Sequence, residues 1–137
     1  MIIELPYPPT INTYYRRASI KGRNWLNPRQ VIHISNEGMA YRTNVIKLCF
    51  LMGCSQGNPR FTGQVSLHVD IFPPDRRKRD IDNLFKPLLD ALQHGGVFKD
   101  DAQVTELSGR KHARIIGGAV RVIITSRETP ATPPHCG

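Results

Sequence analysis

Asp80 and Asp82 stand two residues apart, Lys86 follows four residues after Asp82, and Asp100-Asp101 lies further on. Four cations, Arg76, Arg77, Lys78 and Arg79, run directly into the first acidic pair. Carboxylates about 5 Å apart repel by roughly 1 kcal/mol in water and several times that in a partly buried cleft. A divalent cation or the neighbouring guanidinium groups must offset that repulsion. A hard cation such as Mg²⁺ prefers oxygen ligands, commonly one or two carboxylates plus substrate phosphates. Flanking cations suit a polyanionic substrate, so the stretch points to metal-assisted cleavage of a phosphodiester.

The spacing limits how these groups can be held. On a regular helix, i and i+2 point to nearly opposite sides and cannot share an ion. At an extended entry or first turn they can converge, with Ile81 plugging the core between them. Helix entries also favour anions through free N–H groups and the dipole. Lys86, one turn beyond Asp82, shares its face. A plainer alternative is a capping aspartate and an exposed i,i+4 ion pair, worth a few tenths of a kcal/mol. For Asp100-Asp101 the plain alternative is an Asx turn.

Elements on both sides must position the stretch. Residues 63–72 alternate, with Val65, Leu67, Val69 and Ile71 on one side, as in a half-buried strand stopped by Pro73-Pro74. A helix is expected from near Asp80 or Asp82, with Ile81, Leu84, Phe85, Leu88 and Leu92 as its apolar stripe. Pro87 implies either a bend or a helix that becomes regular only there. Gly95-Gly96 ends it. Strands over 103–115 and 119–126 follow, and Gly117-Gly118 reads as their hairpin turn.

Upstream, a short strand over 1–5 is stopped by Pro6-Tyr7-Pro8-Pro9. Residues 11–30 read as a basic loop or irregular hairpin, in which Arg16 and Arg17 are candidate phosphate contacts. Tyr14 and Tyr15 suit either base stacking or packing on the sheet. Ser35 caps a second helix with Tyr41, Val45, Leu48, Cys49 and Met52 on one face, ended by Gly53. The tail from 127 to 137 has nothing to pack and is expected to be disordered, leaving one domain over 1–126.

The 137 residues carry 19 Lys+Arg against 11 Asp+Glu, a net charge of +8 that suits a phosphate-rich partner. Cys49, Cys54 and Cys136 lack zinc-site spacing, and Cys49 falls in an apolar helical pattern. His33, His68, His94, His112 and His135 show no ligand spacing and read as surface residues. With no signal peptide and no apolar run near ~18 residues, a cytosolic protein with reduced thiols and no membrane is expected.

The run PDRRKRDIDNLFKPLLDAL followed by GVFKDDAQV resembles the RusA family of Holliday junction resolvases, often carried by prophages. The opening LPYPPTINTYYR and the segment SNEGMAYR are also similar to it. The resemblance covers most of residues 1–126. It implies an α+β fold, a single small domain with a mixed four-stranded sheet and two main helices, assembled as a homodimer. It implies Mg²⁺-dependent paired nicking of four-way junction DNA in recombination and repair. By motif, the catalytic and metal-binding aspartates would be Asp80, Asp82 and Asp101, and the catalytic lysine Lys86. Asp100 would be a weaker candidate. Arg16, Arg17, Arg76, Arg77, Lys78 and Arg79 would contact DNA. The competing readings are a non-catalytic junction- or DNA-binding protein with a vestigial site, and a ribosome-associated RNA binder.

Overall fold

The computed structural model describes residues 1–20, 29–78 and 80–127, with backbone only for 16–20 and 29–31. Residues 21–28, Arg79 and the expected tail beyond Arg127 lie outside the described residues. So do the side chains of Arg16 and Arg17.

Alternation places β4 (Val65–Phe72) at the centre of the sheet. Its Val65, Leu67, Val69 and Ile71 are all buried, while the residues between them are half-buried. It pairs in parallel with β5 (Val104–Lys111) and antiparallel with β6 (Ala119–Ser126). The first strand, β1 (Ile2–Leu5), pairs antiparallel with the far side of β6, giving the order β1-β6-β4-β5. The expected hairpin between the last two strands is therefore corrected, since β4 lies between them. Gly117 and Gly118 do turn with positive φ, at 79° and 68°. Their turn belongs to a connection that crosses the end of β4, tied down by His112 N–H to Ile71 O and Ile115 N–H to Pro73 O. A central strand apolar along its whole inner face outcompetes an edge position.

Two long helices join the core that this sheet face builds. One is α2 (Asn36–Leu51), whose entry is capped by Ser35 Oγ accepting from Gly38 N–H at 2.9 Å. Tyr41, Val45 and Cys49 bury its inner stripe, but Met52 is exposed, because the helix ends at Leu51 and the stripe ends with it. Burial pushes the Cys49 thiol up to about 12, as suits a core residue. The other is α3 (Asp82–His94), the crossover between the parallel strands β4 and β5. It buries Leu84, Leu88, Ala91 and Leu92, and it runs through Pro87 rather than starting there. Ile81 and the Phe85 ring lie against Gly109 of β5, where an added Cβ would come within 2.6 Å of the ring.

Residues 11–30 give the short α1 (Ile11–Tyr14) and a separate antiparallel hairpin, β2 (Tyr15–Ile20) with β3 (Arg29–Ile34). Among the described residues, no helix is long and apolar enough to cross a membrane.

Candidate active site

Pro73-Pro74 ends β4, and the chain turns at Asp75, whose Oδ1 accepts from Arg77 N–H at 2.9 Å. This turn leaves Arg76, Arg77, Lys78 and then Asp80 exposed. Ile81 next folds inward against the core, and α3 begins at Asp82. Asp80 and Asp82 thus flank an inward-facing residue, and both are exposed. No side chain caps this helix entry. Lys86, one turn on, is exposed too. Among the described residues, no ion pair joins Asp82 to Lys86, so the i,i+4 alternative is not formed.

The second acidic pair behaves differently. Asp100 caps the single 3-10 turn at Asp101–Gln103, its Oδ1 accepting from Ala102 N–H at 2.9 Å. Gln103 completes a capping box by accepting from Asp100 N–H at 3.1 Å. It also donates to Phe61 O and Gly63 O at 3.0 and 2.8 Å. Asp100 is therefore committed to the turn. Asp101 keeps an exposed carboxylate, while its backbone N–H donates to Gln93 Oε1 at 3.0 Å.

Gln93 lies near the end of α3, about three turns, or roughly 16 Å of rise, beyond Asp82. The two acidic groups therefore sit at opposite ends of one helix. Among the described residues, no three His, Cys, Asp or Glu side chains gather closely enough to hold a metal ion. Asp80 and Asp82 alone match the one or two carboxylates that Mg²⁺ takes alongside substrate phosphate. Asp101 of the same chain does not reach them.

Sequence reasoning missed a polar clasp at the Asp101 end. Asp90, two turns past Asp82, accepts from Tyr14 Oη and from Arg42 Nε and NH2, the latter two at 3.1 and 2.7 Å. His94 Nε2 stands 3.6 Å from the other Asp90 oxygen. Tyr14 is fully buried, and its phenol is pushed far above the ordinary range by that burial and by the bond to Asp90. Tyr14 therefore packs inside the fold as that alternative has it, but against α2 and α3 rather than on the sheet. Tyr15 meets its ring edge-on at 4.8 Å. Its own phenol is raised by burial and then by the charge of Asp90, with a smaller effect from Asp101. Only the spacing of Asp82, Lys86 and Asp90 along one helical face could have hinted at this group.

Three histidines keep about a third of the side chain exposed, as the surface reading has it, yet each is also bonded. His94 belongs to the clasp, while His68 and His112 both donate from Nε2 to Asp70 Oδ1, at 3.0 and 2.7 Å. With that nitrogen donating, a neutral His68 accepts at Nδ1 from Ser108 Oγ, 2.7 Å away. The bond from His112, ahead of that from His68, holds the Asp70 carboxyl below the ordinary aspartate range.

Comparison with known proteins now bears on this arrangement. The family model for endodeoxyribonuclease RusA matches residues 6–125. A crossover junction endodeoxyribonuclease of Enterobacteria phage 82 is 39% identical over 123 residues, covering 90% of this chain and 92% of the relative. That of Escherichia coli (strain K12) is 37% identical over 125 residues, with 90% and 92% covered. One from Enterobacteria phage HK97 is 33% identical over 126 residues, with 91% and 93% covered. Joined to the mixed sheet and the acid-bearing crossover helix, these matches establish that the chain belongs to the RusA endodeoxyribonuclease family.

Proposed function

We propose that this chain is a Mg²⁺-dependent endonuclease that resolves four-way DNA junctions by paired symmetric nicks, in recombination and repair. The names of its relatives support the reaction class and the substrate. The observation that carries the reading is the start of α3, where exposed Asp80, Asp82 and Lys86 follow a run of cations. Mg²⁺ bound by Asp80 and Asp82 would activate water and stabilise the leaving oxygen of an in-line displacement. Lys86, with no ion pair to hold it among the described residues, is available to neutralise charge gathering on the scissile phosphate. Arg76, Arg77 and Lys78 grip the backbone, which sets register without reading bases.

The separation of the acidic groups, roughly 16 Å along the helix, gives the homodimer a chemical role. A dyad that lays two α3 helices antiparallel brings the partner's Asp101 to Asp80 and Asp82. The same operation builds a second identical site, as symmetric cuts on opposing strands require.

The test is incubation with a mobile four-way junction, with and without Mg²⁺. Paired nicks at symmetric positions should form only with the metal. Junction binding without any nicking in Mg²⁺ would leave the non-catalytic binder as the answer.

A further inference from the structure

The crossover that replaced the expected hairpin brings a second set of cations to the basic run. Arg76 and Arg77 line an open groove of about 360 Å³ together with Lys111, His112, Arg114, Pro73 and Asp75. We propose that this groove is a phosphate subsite that holds the backbone of a DNA arm beside the cleavage point. The inference rests on the junction-DNA reading above and extends it to residues of β5 and the loop that follows.

Charge and rigidity both support it. Three arginines and a lysine line the groove beside the carboxylate of Asp75, and that excess of positive charge suits a polyanion. Asp75 is itself occupied in part by Arg77 N–H. One wall is fixed before any ligand arrives. The His112 backbone N–H bonds to Ile71 O at 2.8 Å, its ring stacks on Phe72 at 4.9 Å, and its Nε2 bonds to Asp70. Asp70 lies close by, yet its Oδ1 takes two imidazole N–H groups, which offset its repulsion of phosphate.

Distance supports it as well. Asp80 lies three positions after Arg77, at most about 11 Å of extended chain. Phosphates on one strand advance about 3.4 Å along the axis. The groove and the acidic pair can therefore engage phosphates a few nucleotides apart on one arm.

The experiment measures equilibrium binding of a four-way junction across a salt series, plus single-turnover nicking at saturating DNA. For Lys111→Ala/Arg114→Ala, the slope of log K against log salt should flatten by roughly two units, about one for each phosphate no longer gripped. The saturated nicking rate should stay within about twofold of wild type, since these groups grip rather than react. Arg114→Glu should weaken binding further, and melting curves confirm that each variant is folded. Asp70→Asn separates charge from positioning. On charge alone, losing an anion raises DNA affinity; as the anchor of His112, its loss lowers affinity.

An unchanged slope and affinity in the double variant, while wild type still nicks junctions, overturns the groove and spares the nuclease reading. Higher affinity in Asp70→Asn overturns the positioning of His112. A wild-type protein that neither binds nor nicks a junction overturns both.

Discussion

The two ends of α3 use the same residue type in opposite ways. At its start, Asp80 and Asp82 are exposed, the helix entry has no side-chain cap, and Lys86 stands without an ion pair among the described residues. At its far end, Asp90 takes three donors from Tyr14 and Arg42, and Asp100 is committed to a capping box. A polar group whose bonds are satisfied inside the fold holds the fold together. One left unsatisfied is available to metal or substrate. Asp101 combines both, with its backbone fixed by Gln93 and its carboxylate open to an outside partner.

The largest effect comes from breaking the start of the helix in one copy and the end in another. Asp82→Asn and Asp101→Asn should each abolish nicking alone while binding junctions as well as wild type or better, because phosphate repulsion falls. A mixture allowed to exchange subunits should regain activity as single nicks. A heterodimer would carry one site missing both groups and one with both intact. If the mixture stayed inactive while exchange was demonstrated, each site would be built within one chain and the antiparallel arrangement would be wrong.

Lys86 gives the next largest effect. Having no ion pair to lose among the described residues, Lys86→Ala should melt within about 0.5 kcal/mol of wild type. Its single-turnover nicking should slow by at least ~100-fold, the size of effect expected when a donor to developing charge is removed. Lys86→Arg should recover little, because a planar fork does not replace a compact ammonium. Near wild-type nicking by a stable Lys86→Ala protein would return this lysine to a solvated surface role.

The unequal legibility of the sequence has the same physical origin. Period-two alternation located β4, and the bounds of β6 at Ala119–Ser126 are those expected from its apolar pattern. The stripe of Leu84, Leu88 and Leu92 located α3, and the start at Asp82 was within the expected range. Strand order was not legible, because a Gly-Gly turn serves a crossover as well as a hairpin and only long-range packing decides between them. The clasp was hidden for a related reason, as Tyr14 and Arg42 lie 76 and 48 residues from Asp90. His68 and Asp70 share a strand face, a pattern visible in the sequence, but His112 joins them only once β5 pairs with β4. The acidic pairs could be read as residues, whereas their separation depends on how far α3 runs between them.

Asp90 then tests the satisfied end of the helix. Asp90→Asn keeps the shape of the side chain but removes the charge that Arg42 faces, and Arg42 is only 14% exposed. All three donors meet the same oxygen, Oδ2. A neutral amide oxygen in its place lacks the charge that Arg42 faces, so the bonds to this charged donor weaken in a mostly buried setting. The cost should be about 2 kcal/mol, in the range for such bonds. It should be read as a lower denaturant midpoint with an unchanged m-value, since the folded and unfolded surfaces are unaltered. Below the melting range, single-turnover nicking should stay within about threefold of wild type, the reverse of the Lys86→Ala pattern. Arg42→Ala should destabilise at least as much, because it leaves the Asp90 carboxylate and the Tyr14 hydroxyl without their cationic partner. A wild-type midpoint combined with lost nicking in Asp90→Asn would place this aspartate among the reacting groups, and the division of labour along α3 would collapse.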